Sequence, residues 1–286
     1  MEAQIADSKK GKRKSLLALV CMYAVLIVLA AIYIVPFIWL ISGSLKTSSE
    51  LFANPPIWWP KVPQWKNYID AINSFPFFLY LKNTLLIMGF NIIGVLLSNS
   101  LIAYGFSRIE WKGRDTIFII VLITMMLPFQ VVMVPLFLLF QKLGWIGSFL
   151  PMIVPSFFGN AFYIFLLRQF FVGRPNEISQ SAKIDGANEF VIFYKIILPL
   201  AKPALTTVVI FTFLQSWNDF VGPLIFLTDN RLYTLSIGVQ QIMSVNDPRW
   251  TLLMAIGVTM TIPVLIIFFV LQKYFIEGIA FSGIKG

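Results

Sequence analysis

The chain has 286 residues, of which 58% are hydrophobic and only 12% charged, with a formal net charge of +9. Soluble domains carry roughly 45–50% apolar and about 25% charged residues, so the composition points to the lipid bilayer as solvent. With no histidine, Ser-His-Asp and Cys-His catalysis, His-zinc sites and His proton relays are excluded, and no GxxxxGK[ST] loop is present to hydrolyse ATP.

Backbone groups in lipid must find partners within the protein, and the apolar runs are too long for barrel strands, so the fold class is all-α, a bundle of spanning helices. Basic residues punctuate the apolar runs and do not form the stripe with exposed aromatics that nucleic acid requires. The one cysteine, Cys21, lies inside the first apolar run, which leaves no intramolecular disulfide.

Residues 1–15 hold Lys9, Lys10, Lys12, Arg13 and Lys14 ahead of an apolar run over 16–41. That run exceeds the ~7–15 residues of a signal-peptide core and no small-residue cleavage site follows, so it is predicted as the first transmembrane helix, entered from the cytoplasm. Further runs lie at 83–106, 116–140, 150–171, 204–227 and 251–271, each near the ~20 residues that a bilayer needs. Six spans place the N-terminal segment 1–15 and the tail 272–286 on the same side, and 1–286 reads as a single transmembrane domain.

The orientation follows from the connections. With both termini in the cytoplasm, fifteen of the 22 Lys and Arg fall on inner segments, among them Arg108, Lys112, Arg114, Arg174, Lys183, Lys195 and Lys202, and seven on outer ones. The positive-inside rule therefore puts segment 174–203 in the cytoplasm. Trp58, Trp59, Trp65, Trp145 and Trp250 fall on the outer side, where an interfacial aromatic belt belongs. Pro36, Pro128, Pro135, Pro155, Pro223 and Pro263 lie within spans, and prolines this dense favour the kinked helices of a transporter over a rigid anchor.

The polar island 174–203 has its own punctuation. Asn176 and Glu177 after Pro175 predict a helix start, Asp185-Gly186 predicts its stop, and a second helix is predicted from Asn188-Glu189 to Pro199. Ile178, Ala182 and Ile184 are assigned to one face of the first helix, and Ser179, Ser181 and Lys183 offer polar contacts.

Polar residues inside spans are costly in lipid and mark pathways or helix contacts. Gln215, Trp217, Asn218 and Asp219 cluster in the fifth span, and amides with an aromatic ring suit a neutral polyol through hydrogen bonds and stacking. The alternative is interhelical hydrogen bonding for Gln215 and Asn218, and placement near the interface for Asp219. Asn91, Asn99, Gln130 and Asn160 are weaker pathway candidates for which a structural role is favoured, and Gly94 with Ser98 reads as a close helix contact.

The run SQSAKIDGANEFVIFYKIILPLAKPAL resembles the EAA motif of ABC importer permeases, whose form is E-A-A, then D-G-A, an aromatic-rich helix and Leu-Pro. Ala182, Asp185, Gly186, Ala187, Leu198, Pro199 and Pro203 occupy motif positions, whereas Gln180 and Ser181 stand where the glutamate and the following alanine are expected. Segments SLKTSSELFANPPIWWPKVPQWKNY, FLQSWNDFVGPLIFLTDNRLYTLSIGV and GIAFSGIKG resemble the outer loop, fifth span and tail of the maltose-type carbohydrate permeases.

The resemblance implies the type I ABC importer permease fold and a multi-pass subunit of the bacterial cytoplasmic membrane. It implies partners: a homologous sister permease forming a heterodimer, a dimeric ABC ATPase, an extracytoplasmic solute-binding protein and a sugar. ATP and Mg would be bound by the ATPase, with no cofactor, catalytic residue or metal site in this chain. Ser179, Gln180, Ser181, Ala182, Asp185, Gly186 and Ala187 would form the coupling contact with the ATPase, and the loop 228–250 is long enough to touch the binding protein. The rivals are an ABC importer for a non-sugar solute and an ion-coupled secondary carrier. Mid-span cations would favour the first and an internal repeat with mid-membrane ionisable groups the second, and neither pattern is plain in the sequence.

Overall fold

The computed structural model describes residues 2–243 and 249–283, with side chains over 19–243 and 249–273. The tail motif GIAFSGIKG therefore lies outside the described side chains, as do residues 244–248 of the outer loop 228–250.

Among the described residues every regular element is helical. In chain order these are α1 (Glu2–Ser44), α2 (Ser48–Leu51), α3 (Lys66–Asn73), α4 (Phe77–Arg108), α5 (Arg114–Thr124), α6 (Phe129–Lys142), α7 (Leu150–Ile153) and α8 (Ala161–Val172). They continue as α9 (Glu177–Ile184), α10 (Glu189–Val191), α11 (Leu198–Leu200), α12 (Lys202–Asn218), α13 (Val221–Phe226), α14 (Leu235–Met243) and α15 (Trp250–Gly283). Four stretches, Leu19–Ser44, Phe77–Arg108, Leu150–Val172 and Trp250–Lys273, are long and apolar enough to cross a membrane. The number rises to six if each of two bent pairs counts as one span: α5 with α6, bent by 97°, and Glu189–Leu200 with α12, bent by 76°.

The breaks follow backbone chemistry. Pro128 precedes α6 and has no N–H to donate, which ends the helical ladder of α5 within the apolar run 116–140. Pro155 sits in a 3-10 turn, Val154–Phe158, and Pro199 and Pro203 flank the 76° bend. Pro36, Pro135 and Pro263 lie inside helices that continue through them.

Cα packing divides the chain into two compact units, Met1–Ile72 with Asn246–Met260, and Asn73–Val245 with Thr261–Gly286. In the first unit, Asn67 Nδ2 donates to the Ser44 and Lys46 carbonyls, each at 2.9 Å, and the Ser44 and Tyr68 hydroxyls bond at 2.7 Å. Thr47 and Glu50 form a capping box that starts α2. Gly43 lies against Met254, where a Cβ would collide with the sulfur.

The same unit buries the Lys46 side chain completely, with Nζ 4.1 Å from the centroid of the Trp39 ring and without a hydrogen-bond partner. Burial pushes its pKa below the usual lysine range, partly offset by the Glu50 carboxylate. The folded state thus disfavours the charged form, so the cost is full below the lowered pKa and is relieved as pH rises toward the unfolded value of about 10.4. Lys46→Met is expected to hold or raise the thermal midpoint at pH 7 by a few degrees, and to remove this site's gain at alkaline pH, read by thermal unfolding in detergent. A fall of several degrees would mean that the ring contact outweighs the desolvation.

The second unit is organised around α4, which packs against α8, α12 and the 3-10 turn 154–158. Gly94 permits the closest approach, because a Cβ there would overlap Ser156 and Phe157, and Ser98 Oγ donates to the Gly94 and Ser156 carbonyls at 2.8 and 3.0 Å. Fully buried Asn99 donates to the Val95 carbonyl at 2.7 Å and accepts from the Asn160 amide at 2.6 Å, while Asn160 caps α8. Asn83 Nδ2 ties the loop after α13 to α4 through the Arg231 and Tyr233 carbonyls, both at 2.9 Å.

Candidate functional site

Two features of the second unit could carry function: the knuckle around Gly186 and a cavity among α4, α8 and α12. The knuckle forms where local chemistry dictates. Helix α9 begins after Asn176 and ends at Asp185, and Gly186 adopts φ +81°. Its N–H donates to the Lys183 carbonyl at 3.1 Å and the Ala187 N–H to the Ala182 carbonyl at 2.9 Å, a glycine-closed helix end. Asn188 Oδ1 then accepts from the Val191 amide at 2.9 Å and starts the next helix.

That second helix differs from the regular one expected over 188–199. Residues Ile192–Ile197 are π-wound, and Ile192, Phe193 and Ile197 are buried. The wider winding brings all three into the core, a packing gain that offsets the poorer hydrogen-bond geometry.

On α9, Gln180, Ser181 and Lys183 are exposed, Ser179 is half-buried with a hydroxyl that lacks a partner, and the Ser181 hydroxyl bonds back to the Glu177 carbonyl at 2.9 Å. Asp185 and Gly186 are exposed and Ala187 is half-buried. Only Ala182 of the three apolar residues assigned to one face is buried; Ile178 is 38% and Ile184 87% exposed. Ile184 before the Gly186 turn and Phe190 and Tyr194 after it are likewise exposed.

Behind these residues the packing is continuous. Ala182 belongs to one buried cluster with Val95, Ala103 and Tyr104 of α4, Tyr163, Leu167 and Phe171 of α8, Ile192, Phe193 and Ile197, and Ala204 and Val208 of α12. Two polar ties reinforce it. Tyr104 Oη donates to Glu189 Oε2 at 2.6 Å, and Lys183 Nζ meets Glu189 Oε1 at 2.5 Å. Arg108 at the end of α4 donates to the Phe171 and Arg174 carbonyls at 2.6 and 2.9 Å and to Asn176 Oδ1 at 2.5 Å, which holds the start of the knuckle.

The cavity has a volume of about 510 Å³. Its polar wall consists of Asn91, Ser156, Asn160, Tyr163, Thr212, Gln215, Ser216 and Asp219, and Phe129, Met152 and Phe226 supply apolar surface. Of the pathway residues expected in the fifth span, Gln215 and Asp219 line it, one helical turn apart. Trp217 and Asn218 are not in the wall: Trp217 is buried and stacked on Phe213, with centroids 5.7 Å apart, and the exposed Asn218 bonds back to the Leu214 carbonyl at 2.8 Å. Gln215 Oε1 accepts from Tyr163 Oη at 3.2 Å and Asn91 Nδ2 donates to Ser216 Oγ at 3.2 Å. Asn91 and Asn160, two of the weaker pathway candidates of the sequence, line the cavity as well, whereas Tyr163, Thr212 and Ser216 were not singled out; a polar side chain on a spanning helix was the only local signal. Val95 and Tyr163 belong both to the cavity wall and to the cluster that contains Ala182, so the knuckle and the cavity share one packed body.

Residues 91–280 match the family described as binding-protein-dependent transport system inner membrane component. The arabinooligosaccharides transport system permease protein AraQ of Bacillus subtilis (strain 168) is 39% identical over 262 residues, 90% of this chain and 92% of the relative. The trehalose/maltose transport system permease protein MalG of Thermococcus litoralis is 31% identical over 264 residues, 91% and 94% of the two chains. Among solved structures, a chain of a bacterial ABC transporter involved in the import of the acidic polysaccharide alginate superposes with a TM-score of 0.79 at 25% identity, covering 90% of this chain and 95% of that one.

Proposed function

This chain belongs to the family of binding-protein-dependent transport system inner membrane components, and from that premise we propose that it forms part of a carbohydrate pathway driven by closure of an ATPase on the Gly186 knuckle. It is a non-enzymatic ABC permease, a multi-pass protein of the cytoplasmic membrane, in a system that includes an ATPase and a solute-binding protein. The sugar is inferred from relatives named for arabinooligosaccharides and for trehalose and maltose, and from a cavity wall of amides and hydroxyls.

The finer assembly is part of the same proposal. Each bent helix pair counts as one span, giving six, with both termini in the cytoplasm and the knuckle on that side with fifteen of the 22 basic residues. A sister permease completes a heterodimer, and the ATPase dimer binds ATP and Mg. Ser179, Gln180, Ser181, Ala182, Asp185, Gly186 and Ala187 meet the ATPase. With a neutral amide at Gln180, that contact rests on shape, hydrogen bonds and the uncovered Ile184, Phe190 and Tyr194 more than on charge.

The observation that carries this reading is the unbroken cluster from Ala182 to Val95 and Tyr163, because a push on a surface turn moves a distant cavity only through close-packed atoms. The test is reconstitution in liposomes with the sister permease, ATPase and binding protein, measuring uptake across a panel of sugars. ATP-dependent uptake of at least one saccharide is expected. Uptake that persists without any ATPase subunit would overturn the proposal.

A further inference from the structure

Along the chain, the knuckle is joined to its neighbours through two breaks. On one side α8 ends at Val172 and the backbone passes through Gly173, Arg174 and Pro175 before α9 begins; on the other, the 76° bend separates Glu189–Leu200 from α12. Arg108, in the last turn of the 32-residue helix α4, spans the first break. Its Nη2 donates to the Phe171 carbonyl at 2.6 Å and to the Arg174 carbonyl at 2.9 Å, and its Nη1 donates to Asn176 Oδ1 at 2.5 Å, with the Pro175 carbonyl at 3.5 Å. One guanidinium therefore holds the last turn of α8 and the three residues that lead into α9. Tyr104, four residues earlier and so on the same face of α4, reaches Glu189 beyond Gly186. Both ends of the knuckle are fastened to one continuous helix.

We propose that Arg108 is a positioning residue for coupling, whose fork clamps the start of the knuckle to α4 so that the ATPase stroke enters the membrane through α4 and not along the chain. The proposal rests on the docking of an ATPase at the Gly186 knuckle and adds the residue and the helix that receive the push. In an unbroken helix each N–H is tied to the carbonyl four residues back, so a load at one end reaches the other. The chain route lacks that continuity, because proline has no N–H to donate at Pro175 or at the bend flanked by Pro199 and Pro203. Lysine is no substitute for Arg108: it carries the charge as a compact point, without the planar fork that sets separate N–H groups on Phe171 and Asn176.

The test uses the assembled transporter in liposomes and measures ATP hydrolysed per sugar imported. Arg108→Lys is expected to raise this ratio about tenfold, the order for losing a hydrogen bond to a charged donor. Its thermal midpoint should stay within a few degrees of wild type, since a cation still faces the carbonyls at the end of α8. A residue that merely capped α8 would be replaced by lysine with the ratio unchanged. A covalent tie gives a second readout. With Cys21→Ser removing the one native cysteine and with cysteine-free partners, Arg108→Cys combined with Asn176→Cys should be uncoupled. A short bis-methanethiosulfonate reagent joining the pair should return the ratio to within about threefold of wild type, and reductant should reverse the rescue. If Arg108→Lys loses stability, the cross-linked pair decides. If uptake persists without an ATPase, or Gly186→Pro stays coupled, the docking reading falls and this inference with it. If uptake needs the ATPase and Gly186→Pro uncouples it, yet a stable Arg108→Lys keeps the wild-type ratio or the cross-linked pair stays uncoupled, the inference alone is overturned.

Discussion

Gly186→Pro is expected to abolish transport and substrate-stimulated ATP hydrolysis by the assembled importer while the chain still inserts in the membrane. Gly186 sits at φ +81° and donates its N–H to the Lys183 carbonyl. Proline fixes φ near −65° and has no N–H, a cost of about 3 kcal/mol or more, and it also restricts Asp185. The turn would open and Ala182 would leave the buried cluster through which the knuckle reaches α4, α8 and α12. A graded series separates conformation from contact. A Cβ at Gly186 meets nothing within 4 Å, so Gly186→Ala carries only the left-handed penalty of ~1–2 kcal/mol, and Gly186→Asn less. ATPase stimulation should fall in the order Gly, Asn, Ala, Pro. Wild-type stimulation in the proline variant would sink the docking role of the knuckle.

Removal of Glu189 should raise the ATP consumed per sugar imported. Its carboxylate joins Lys183 on α9 to Tyr104 on α4. The two links are unequal. Lys183 and Glu189 side chains are 51% and 42% exposed, so that pair is worth about 0–1 kcal/mol, whereas the buried Tyr104 hydroxyl loses a charged acceptor worth ~1.5–3 kcal/mol. Glu189→Ala is therefore expected to reduce uptake by about tenfold, corresponding to ~1.4 kcal/mol, with basal hydrolysis retained. Tyr104→Phe should approach the same loss, and Lys183→Met should cost less than about twofold. Combining Glu189→Ala with Tyr104→Phe should add little to either alone. Fully additive losses, or a Lys183→Met defect as large as that of Glu189→Ala, would show that the Tyr104 link transmits nothing.

Much of the knuckle was legible because its signals are local. Asp185-Gly186 and Asn188 stop or cap helices through hydrogen bonds to their own neighbours, whereas Asn176, though α9 begins after it, makes no side-chain cap bond and its Oδ1 accepts from the distant Arg108. The π-wound stretch was not legible, since FVIFYKIIL has the apolar content of any buried helix and its winding is chosen by which of Ile192, Phe193 and Ile197 the surrounding core accepts. Pro128 announced a disturbance in the third apolar run but not a 97° bend, whose angle is set by what the two pieces pack against. In the fifth span the cluster Gln215, Trp217, Asn218 and Asp219 looked like one group. A helix turns about 100° per residue, so Gln215 and Asp219 share a face while Trp217 turns to Phe213.

By itself the sequence determined the solvent, the all-helical class, the motif at Asp185-Gly186-Ala187 and the resemblance to ABC permeases, because composition, apolar run length and capping chemistry are properties of contiguous residues. Only the tertiary structure decided that Asn91, Tyr163 and Thr212 join Gln215 and Asp219 around one cavity, and that Glu189 bonds Tyr104. Those residues come from helices distant in sequence, and their proximity is set by side-chain packing such as the approach that Gly94 allows, which no local pattern encodes.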